Sequence, residues 1–384
     1  MILTKLKLVN FRNYKKLNIQ LNKNLNIFIG PNAQGKTNIL ESIYILAITK
    51  SHRSGTESNL IRIGDSAAKI SGTLKEDKLI TDLEVDISPV QKKVFRNQSE
   101  IKKISNYIGN LNVIMFCPDD LDLLKKSPVN RRNYLNIQIS QLDGQYLRWL
   151  NEYNKILKTK NEYLKVLSTS NRQTDSYLET LEEQLIVRAV KIYELRMEYI
   201  SRVNKLIPEI YKKITGLERL HIVYDNGFGD MIDPFDYDEY GKILQSKFHK
   251  NRKREIMQGT TLYGPHRDDF SFYLNEIDLK VYGSQGQQRI AVISFKLAEI
   301  RIFKELTKKN PLLLLDDIFS EIDIKKRNRL LKYIDGSIQT IITTTDLKNI
   351  NKKIVENAKI FKVIDGTVTE KVGNNGKYRI RKEN

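Results

Sequence analysis

Alternating and helical runs of apolar residues divide this 384-residue chain into three stretches. The first begins with the alternation Ile2 to Val9 and the run Leu17 to Ile29, both of which predict strands. Asn38 to Ala47 then reads as a helix, and Ala67 to Leu74 and Leu83 to Ile87 return to strand character. From Arg131 to about Ile214 the pattern turns helical: Tyr134, Ile137, Leu142, Leu147, Leu150, Tyr153 and Leu157 recur at near-helical spacing. Ser168-Thr169-Ser170-Asn171 breaks that stripe, and Leu178, Leu181, Leu185, Ala189, Ile192 and Leu195 begin another. Pro208 should kink the second helix and Thr215-Gly216 should end it. Two helices of about 40 residues would form a hairpin of roughly 60 Å; a compact helical domain fits the same periodicity. Beyond Gly264 the chain is α/β again, with strands at Phe270 to Leu274, Pro311 to Leu315 and Thr340 to Ile342, and a helix over Arg289 to Glu305.

The punctuation between these elements carries the chemistry. Between the apolar run Ile27-Phe28-Ile29 and the first helix stands Gly30-Pro31-Asn32-Ala33-Gln34-Gly35-Lys36-Thr37, a G-x-x-x-x-G-K-[ST] phosphate loop. Its glycines let backbone N–H groups converge on phosphates, Lys36 adds charge over the β- and γ-phosphates, and the Thr37 hydroxyl is a ligand for Mg²⁺. Leu312 to Leu315 end in Asp316, which places a carboxylate beside the same Mg²⁺ at a strand tip. Asp317 follows, where it could orient or deprotonate an attacking water. Lys36 and Asp317 are thus the candidate catalytic residues. Ser284-Gln285-Gly286-Gln287-Gln288-Arg289 is either a polar turn capping the next helix or, as a hydroxyl and glycine N–H at a helix N-terminus, an anion site.

Lys36 and Asp316 must face one magnesium nucleotide, yet about 280 residues separate them, far more than a connection within one α/β domain needs. The fold class expected is therefore an α/β P-loop ATPase head split in sequence, with an inserted mainly helical domain. The expected boundaries are 1–115 and 257–384 for the two parts of the head and 116–256 for the insert.

Charge points outward to a partner. The 65 basic and 46 acidic residues leave +19, which attracts polyanions, nucleic acid foremost. Lys247, His249, Lys250, Arg252, Lys253 and Arg254 form the densest basic run, and Lys125, Lys126, Arg131 and Arg132 another. No base-reading pattern accompanies them, so contacts to phosphates without sequence specificity are expected. A single cysteine, Cys117, excludes an internal disulfide and a cysteine-based zinc site within one chain. There is no apolar run of membrane-spanning length and no signal-peptide layout at Met1 to Leu8, so a cytoplasmic protein without a membrane partner is expected. His52 and His266, each followed by Arg, read as structural or nucleotide-side hydrogen-bonders rather than metal ligands.

Together the motifs resemble the ABC-type ATPase superfamily, and within it the DNA-repair branch that includes SMC proteins. The chain is most similar to the RecF family of bacterial recombination mediators. The resemblance rests on Phe11-Arg12-Asn13-Tyr14, Ser51-His52-Arg53, Gly264 to Asp269, Gly283 to Arg289 and Leu315 to Asp323. It implies that Gly30 to Thr37 hold the triphosphate of ATP, with Arg12 and Asn13 touching the nucleotide and Thr37 and Asp316 at Mg²⁺. Ser284, Gly286 and Gln287 would complete the γ-phosphate site of a second copy, giving a homodimer on ATP binding, and Ser320 to Asp323 would couple the two sites. It further implies a DNA-stimulated ATPase clamping single-stranded, duplex or junction DNA, with mediator proteins that load recombinase at gaps. Two positions depart from the pattern. Thr343-Thr344-Thr345 stands where many members carry a switch histidine, and Asp317 where transporters and SMC heads have Glu, which predicts slow turnover. A transporter nucleotide-binding subunit and an ATP-binding adaptor with vestigial hydrolysis are the rival readings.

Overall fold

A computed structural model describes residues 1–53, 55–169, 176–216, 219–229, 235–318, 337–347, 355–372 and 377–379. The chain divides into two compact units: a head of Met1–Asp120, Ile210–Leu217 and Val292–Asn384, and a lobe of Leu121–Glu209 and Glu218–Ala291. Against the expected boundaries, the lobe therefore takes residues 257–291 and the head takes 116–120 and 210–217.

Two sheets make the head. The first is antiparallel, in the order β2-β1-β4-β5-β6-β7, from β1 (Ile2–Phe11), β2 (Tyr14–Gln20), β4 (Ala68–Glu76), β5 (Leu79–Ile87), β6 (Lys92–Arg96) and β7 (Ser99–Glu100). The second has the order β16-β15-β14-β3-β13-β12-β8, from β3 (Leu25–Ile29), β8 (Val113–Phe116), β12 (Leu312–Asp316), β13 (Thr340–Thr344), β14 (Lys359–Ile364), β15 (Thr367–Val372) and β16 (Lys377–Arg379). Its five strands from β14 to β8 are parallel. β3 from the N-terminal part lies between β13 and β14 from the C-terminal part, with Leu25 opposite Thr340 and Ile29 opposite Thr344. That interleaving is how a head split in sequence becomes one sheet.

The helix α1 (Lys36–Ile48) lies against strands of both sheets, which explains why Ile39, Leu40, Ile43, Ile45 and Leu46 bury nearly all round it. The single strand expected over Leu17 to Ile29 is two strands. Asn22 accepts from the N–H of Asn24 at 3.0 Å and Asn26 accepts from the N–H of Asn22 at 2.7 Å, so side chains take over ladder bonds and turn the chain.

In the lobe, α2 (Asp122–Lys125) and α3 (Pro128–Leu142) precede α4 (Gly144–Ser168), α5 (Ser176–Thr215) and α6 (Tyr237–Gln258). The first long helical stripe is thus two helices. Asp143 ends α3 and caps α4, its carboxylate accepting from Gln145 N–H at 2.7 Å. Helix α5 contains Pro208 in its interior and ends at Thr215, where Thr215-Gly216 was expected to stop it. A three-stranded antiparallel sheet, β11-β10-β9, comes from β9 (Leu220–Asp225), β10 (Asp269–Leu274) and β11 (Ile277–Asp278). The short α7 (Leu279–Tyr282) and α8 (Gln285–Thr307) follow it.

Candidate nucleotide site

The phosphate loop leaves the end of β3 in the middle of the parallel sheet, where open α/β sheets place their ligands. Two glycines make the path possible. A Cβ on Gly30 would run into the Val363 carbonyl. Gly35 sits at φ 105° and a Cβ there would meet the Asn13 side chain at 2.5 Å and the Tyr14 hydroxyl at 2.9 Å. The β1–β2 hairpin supplies that wall. Tyr14 Oη donates to the Gly35 carbonyl at 3.0 Å, and Asn13 Nδ2 to the Gln34 carbonyl at 3.1 Å. Asn32 and Ala33 complete the loop, Ala33 at φ 64°.

Lys36 folds back over this loop, its Nζ donating to the carbonyls of Gly30 and Pro31, each at 2.7 Å. Burial lowers its pKa, while the nearby Asp317 and Asp316 carboxylates act the other way. Thr37 Oγ1 donates to Asp316 Oδ1 at 2.9 Å, and Thr343 Oγ1 donates to the same oxygen at 2.6 Å. Burial raises the Asp316 pKa against those two bonds, and it raises that of Asp317, with the Asp316 charge adding to the rise. Asp317 turns the chain at φ 46°, its N–H bonded to both the carbonyl (3.2 Å) and the hydroxyl (3.1 Å) of Thr343.

These groups suit a magnesium nucleotide. Helix α1 has no side-chain cap and no acid in its first turn, which leaves its N-terminal N–H groups to an anion. A hydroxyl and a carboxylate within hydrogen-bond distance are the hard oxygen donors that Mg²⁺ prefers. Of Thr343-Thr344-Thr345, which stand at the switch-histidine position, Thr343 is tied to Asp316, Thr344 donates to the Asp346 carbonyl at 2.8 Å, and Thr345 is exposed.

Other expected residues are held differently. Arg12 forms a two-pronged pair with Glu41 of α1 (2.8 and 2.7 Å) and donates to the Asn59 carbonyl at 2.7 Å. Burial raises the pKa of Glu41, but Arg12 and Ser51 outweigh it and hold the carboxyl below its usual range. Ser284 and Gln287 bond reciprocally, backbone N–H to Gln287 Oε1 at 2.9 Å and Gln287 N–H to Ser284 Oγ at 3.3 Å. This capping box opens α8, and Ser284 and Gly286 remain exposed. Ser320 to Asp323 lie outside the described residues.

The second basic run is structural in part. Arg131 is buried, donating to Asp269 at 2.5 and 2.8 Å and to the carbonyls of Leu123, Leu124 and Lys126. Arg132 donates to the Asp268 carbonyl at 2.6 Å. In the first run, Arg252 pairs with Glu182 at 2.6 Å. His266 bonds Tyr153 Oη at 2.5 Å and the Thr261 carbonyl at 3.1 Å, and burial pushes its pKa down to about 4. Sequence reasoning missed Arg196: its apolar and aromatic neighbours in α5, Tyr193, Leu195, Met197 and Ile200 among them, gave no sign that it would face Asp268.

A phosphate loop on the middle strand of a parallel sheet, with Thr37 and Asp316 brought together across the sequence, defines an ABC-type P-loop ATPase head. The chain matches the family described as RecF/RecN/SMC N terminal domain over residues 2–369. It is 41% identical over 373 residues to the DNA replication and repair protein RecF of Lactobacillus johnsonii, covering 97% of this chain and 100% of that one. The structure of the recombination mediator protein RecF-ATP in the RecFOR pathway superposes with a TM-score of 0.89 at 30% identity, covering 96% and 97% of the two chains. The Smc head domain of Pyrococcus furiosus shares the fold at a TM-score of 0.53 and 17% identity, covering 96% and 95%. The chain belongs to the RecF family.

Proposed function

We propose that this protein is a cytoplasmic, ATP-dependent DNA-binding protein of recombinational repair and replication-fork maintenance, whose heads dimerise on ATP and reopen on slow hydrolysis. The observation that carries the reading is the Thr37–Asp316–Thr343 chain of hydrogen bonds beside Lys36, with Thr37 and Asp316 lying 279 positions apart. Bound Mg-ATP would supply the phosphoryl group for transfer to water. Gly30 to Thr37 would cradle its triphosphate, with Lys36 exchanging the carbonyls of Gly30 and Pro31 for phosphate oxygens. Thr37 and Asp316 would hold Mg²⁺. Asp317 would take the proton of the attacking water; its side chain is one methylene shorter than Glu, which favours slow turnover. Arg12 and Asn13 would line the nucleotide side. Ser284, Gly286 and Gln287, exposed or half-exposed at the start of α8, would close on the nucleotide of a second copy. The net charge of +19 favours DNA held through its phosphates. Other recombination mediator proteins would be its partners, RecF itself being described as the recombination mediator protein of the RecFOR pathway.

The test is Mg-ATP turnover, with and without DNA, in wild type, Lys36→Ala and Asp317→Asn. Turnover abolished in both variants, with nucleotide still bound by Asp317→Asn, supports the reading. Turnover absent from the wild type would leave an ATP-binding adaptor.

A further inference from the structure

Helix α6 has two faces. Tyr240, Leu244, Phe248 and Ile256 bury into the lobe, whereas Lys242, Ile243, Ser246, Lys247 and Lys250 recur every three to four residues along another face and line a groove of about 370 Å³. Tyr263 forms the facing wall, with Lys247 Nζ 5.2 Å from its ring centroid. Glu239 is the single acid in the lining. Among the described residues none of the three lysines is in an ion pair, unlike Arg252 on the same helix, which Glu182 neutralises. From Lys242 to Lys250 the cations extend about 12 Å along the helix at 1.5 Å per residue.

We propose that this groove is a single-strand nucleic-acid subsite: Lys242, Lys247 and Lys250 contact successive phosphates and Tyr263 stacks on one unpaired base. It rests on the reading of the protein as DNA-binding and adds where a strand lies and which form is preferred. A line of cations beside one aromatic face matches a chain in which charge and flat rings alternate. An acidic peptide would use the lysines and have no need of the ring. A duplex keeps its bases stacked on each other and offers Tyr263 nothing.

The experiment is fluorescence anisotropy on the full chain with a labelled oligothymidine of about 20 nucleotides and a duplex of about that length, across a range of salt. Lys242→Gln/Lys250→Gln should weaken single-strand binding about tenfold and reduce the slope of log affinity against log salt by about 1.4, while Lys102→Gln/Lys103→Gln, an equal loss of charge elsewhere, should not. Tyr263→Ala should cost about tenfold on the single strand and Tyr263→Phe little, because phenylalanine keeps the stacking face. Single-strand affinity unchanged in both groove variants overturns the proposal. So does an equal loss on single strand and duplex with Tyr263→Ala silent, which would make the groove a general electrostatic patch. Loss of poly-glutamate binding with DNA affinity intact would make it a protein-docking site. A wild type that binds neither DNA form would instead defeat the broader DNA-binding reading.

Discussion

Two Asp–Asp pairs, Asp268–Asp269 at the start of a strand of the lobe and Asp316–Asp317 at the end of a strand of the head, are treated oppositely by the protein. In the lobe each carboxylate meets a buried guanidinium. Asp268 accepts from Arg196 at 2.8 Å and from the Tyr224 hydroxyl, and Asp269 takes both prongs of Arg131. The Arg196 and Asp268 side chains are each 1% exposed. In the head, Asp316 is bonded by the hydroxyls of Thr37 and Thr343. Hydroxyls rotate and can yield a carboxylate to a cation; a buried Arg–Asp pair cannot part without stranding a charge. Pairing with guanidinium makes an acid part of the scaffold, whereas pairing with hydroxyls leaves it able to serve as a ligand.

Breaking the lobe pair should have the largest effect. Arg196→Met leaves Asp268 buried without its cation and should lower lobe stability by about 3–5 kcal/mol, read from urea unfolding followed by helical circular dichroism. A loss below about 1 kcal/mol would show that the pair is no scaffold.

Acid separates the two regions next. Burial holds His52 of the head at a pKa of about 4, against 6.5 in the unfolded chain. Between those values the unfolded chain binds a proton that the folded head refuses, so this stability is intact above pH 6.5 and is lost as pH falls toward 4. The full loss is about 3 kcal/mol, at 1.36 kcal/mol per unit. His266 behaves alike in the lobe, but Asp268, raised to about 6 by burial against the pull of Arg196, has the opposite sign and gains stability as pH falls from 6 toward 3.8. His52→Gln should therefore flatten the acid limb of the head in a thermal melt at stepped pH. An unchanged limb would place the proton uptake elsewhere.

Asp316→Asn sharpens the contrast from the other side. Its stability should stay within about 1 kcal/mol of wild type, while Mg-ATP turnover falls about a hundredfold or more, about 2.7 kcal/mol of barrier. Smallest is Tyr224→Phe, which removes one hydrogen bond from Asp268 and should cost about 1–2 kcal/mol in the same urea experiment with no direct effect on turnover.

What the sequence made legible is the head, because its elements carry their own signals. Four leucines ending in Asp316, and an apolar run followed by two glycines and Lys36, mark strand, loop and helix within a few residues. Helix α6 was hidden: its capping Asp236 and terminal Gly259 were present, but its mixed charge obscured the buried stripe of Tyr240, Leu244 and Phe248. The basic runs misled for a related reason. Arg131 and Arg252 look like neighbours of Lys126 and Lys250 in sequence, yet their acids, Asp269 and Glu182, lie 138 and 70 positions away. Local pattern shows which residues are charged, and only the tertiary partner decides which are spent inside.

In the proposed function, the hydroxyl-bonded acid of the head serves a nucleotide shared between two copies. Sedimentation velocity with Mg-ATP, on wild type and Ser284→Arg, tests it most directly. The wild type should become a dimer and return to a monomer as ATP is consumed, whereas Ser284→Arg should bind ATP and stay monomeric. A Ser284→Arg protein that dimerises like the wild type would contradict it, leaving Ser284 as a helix cap alone.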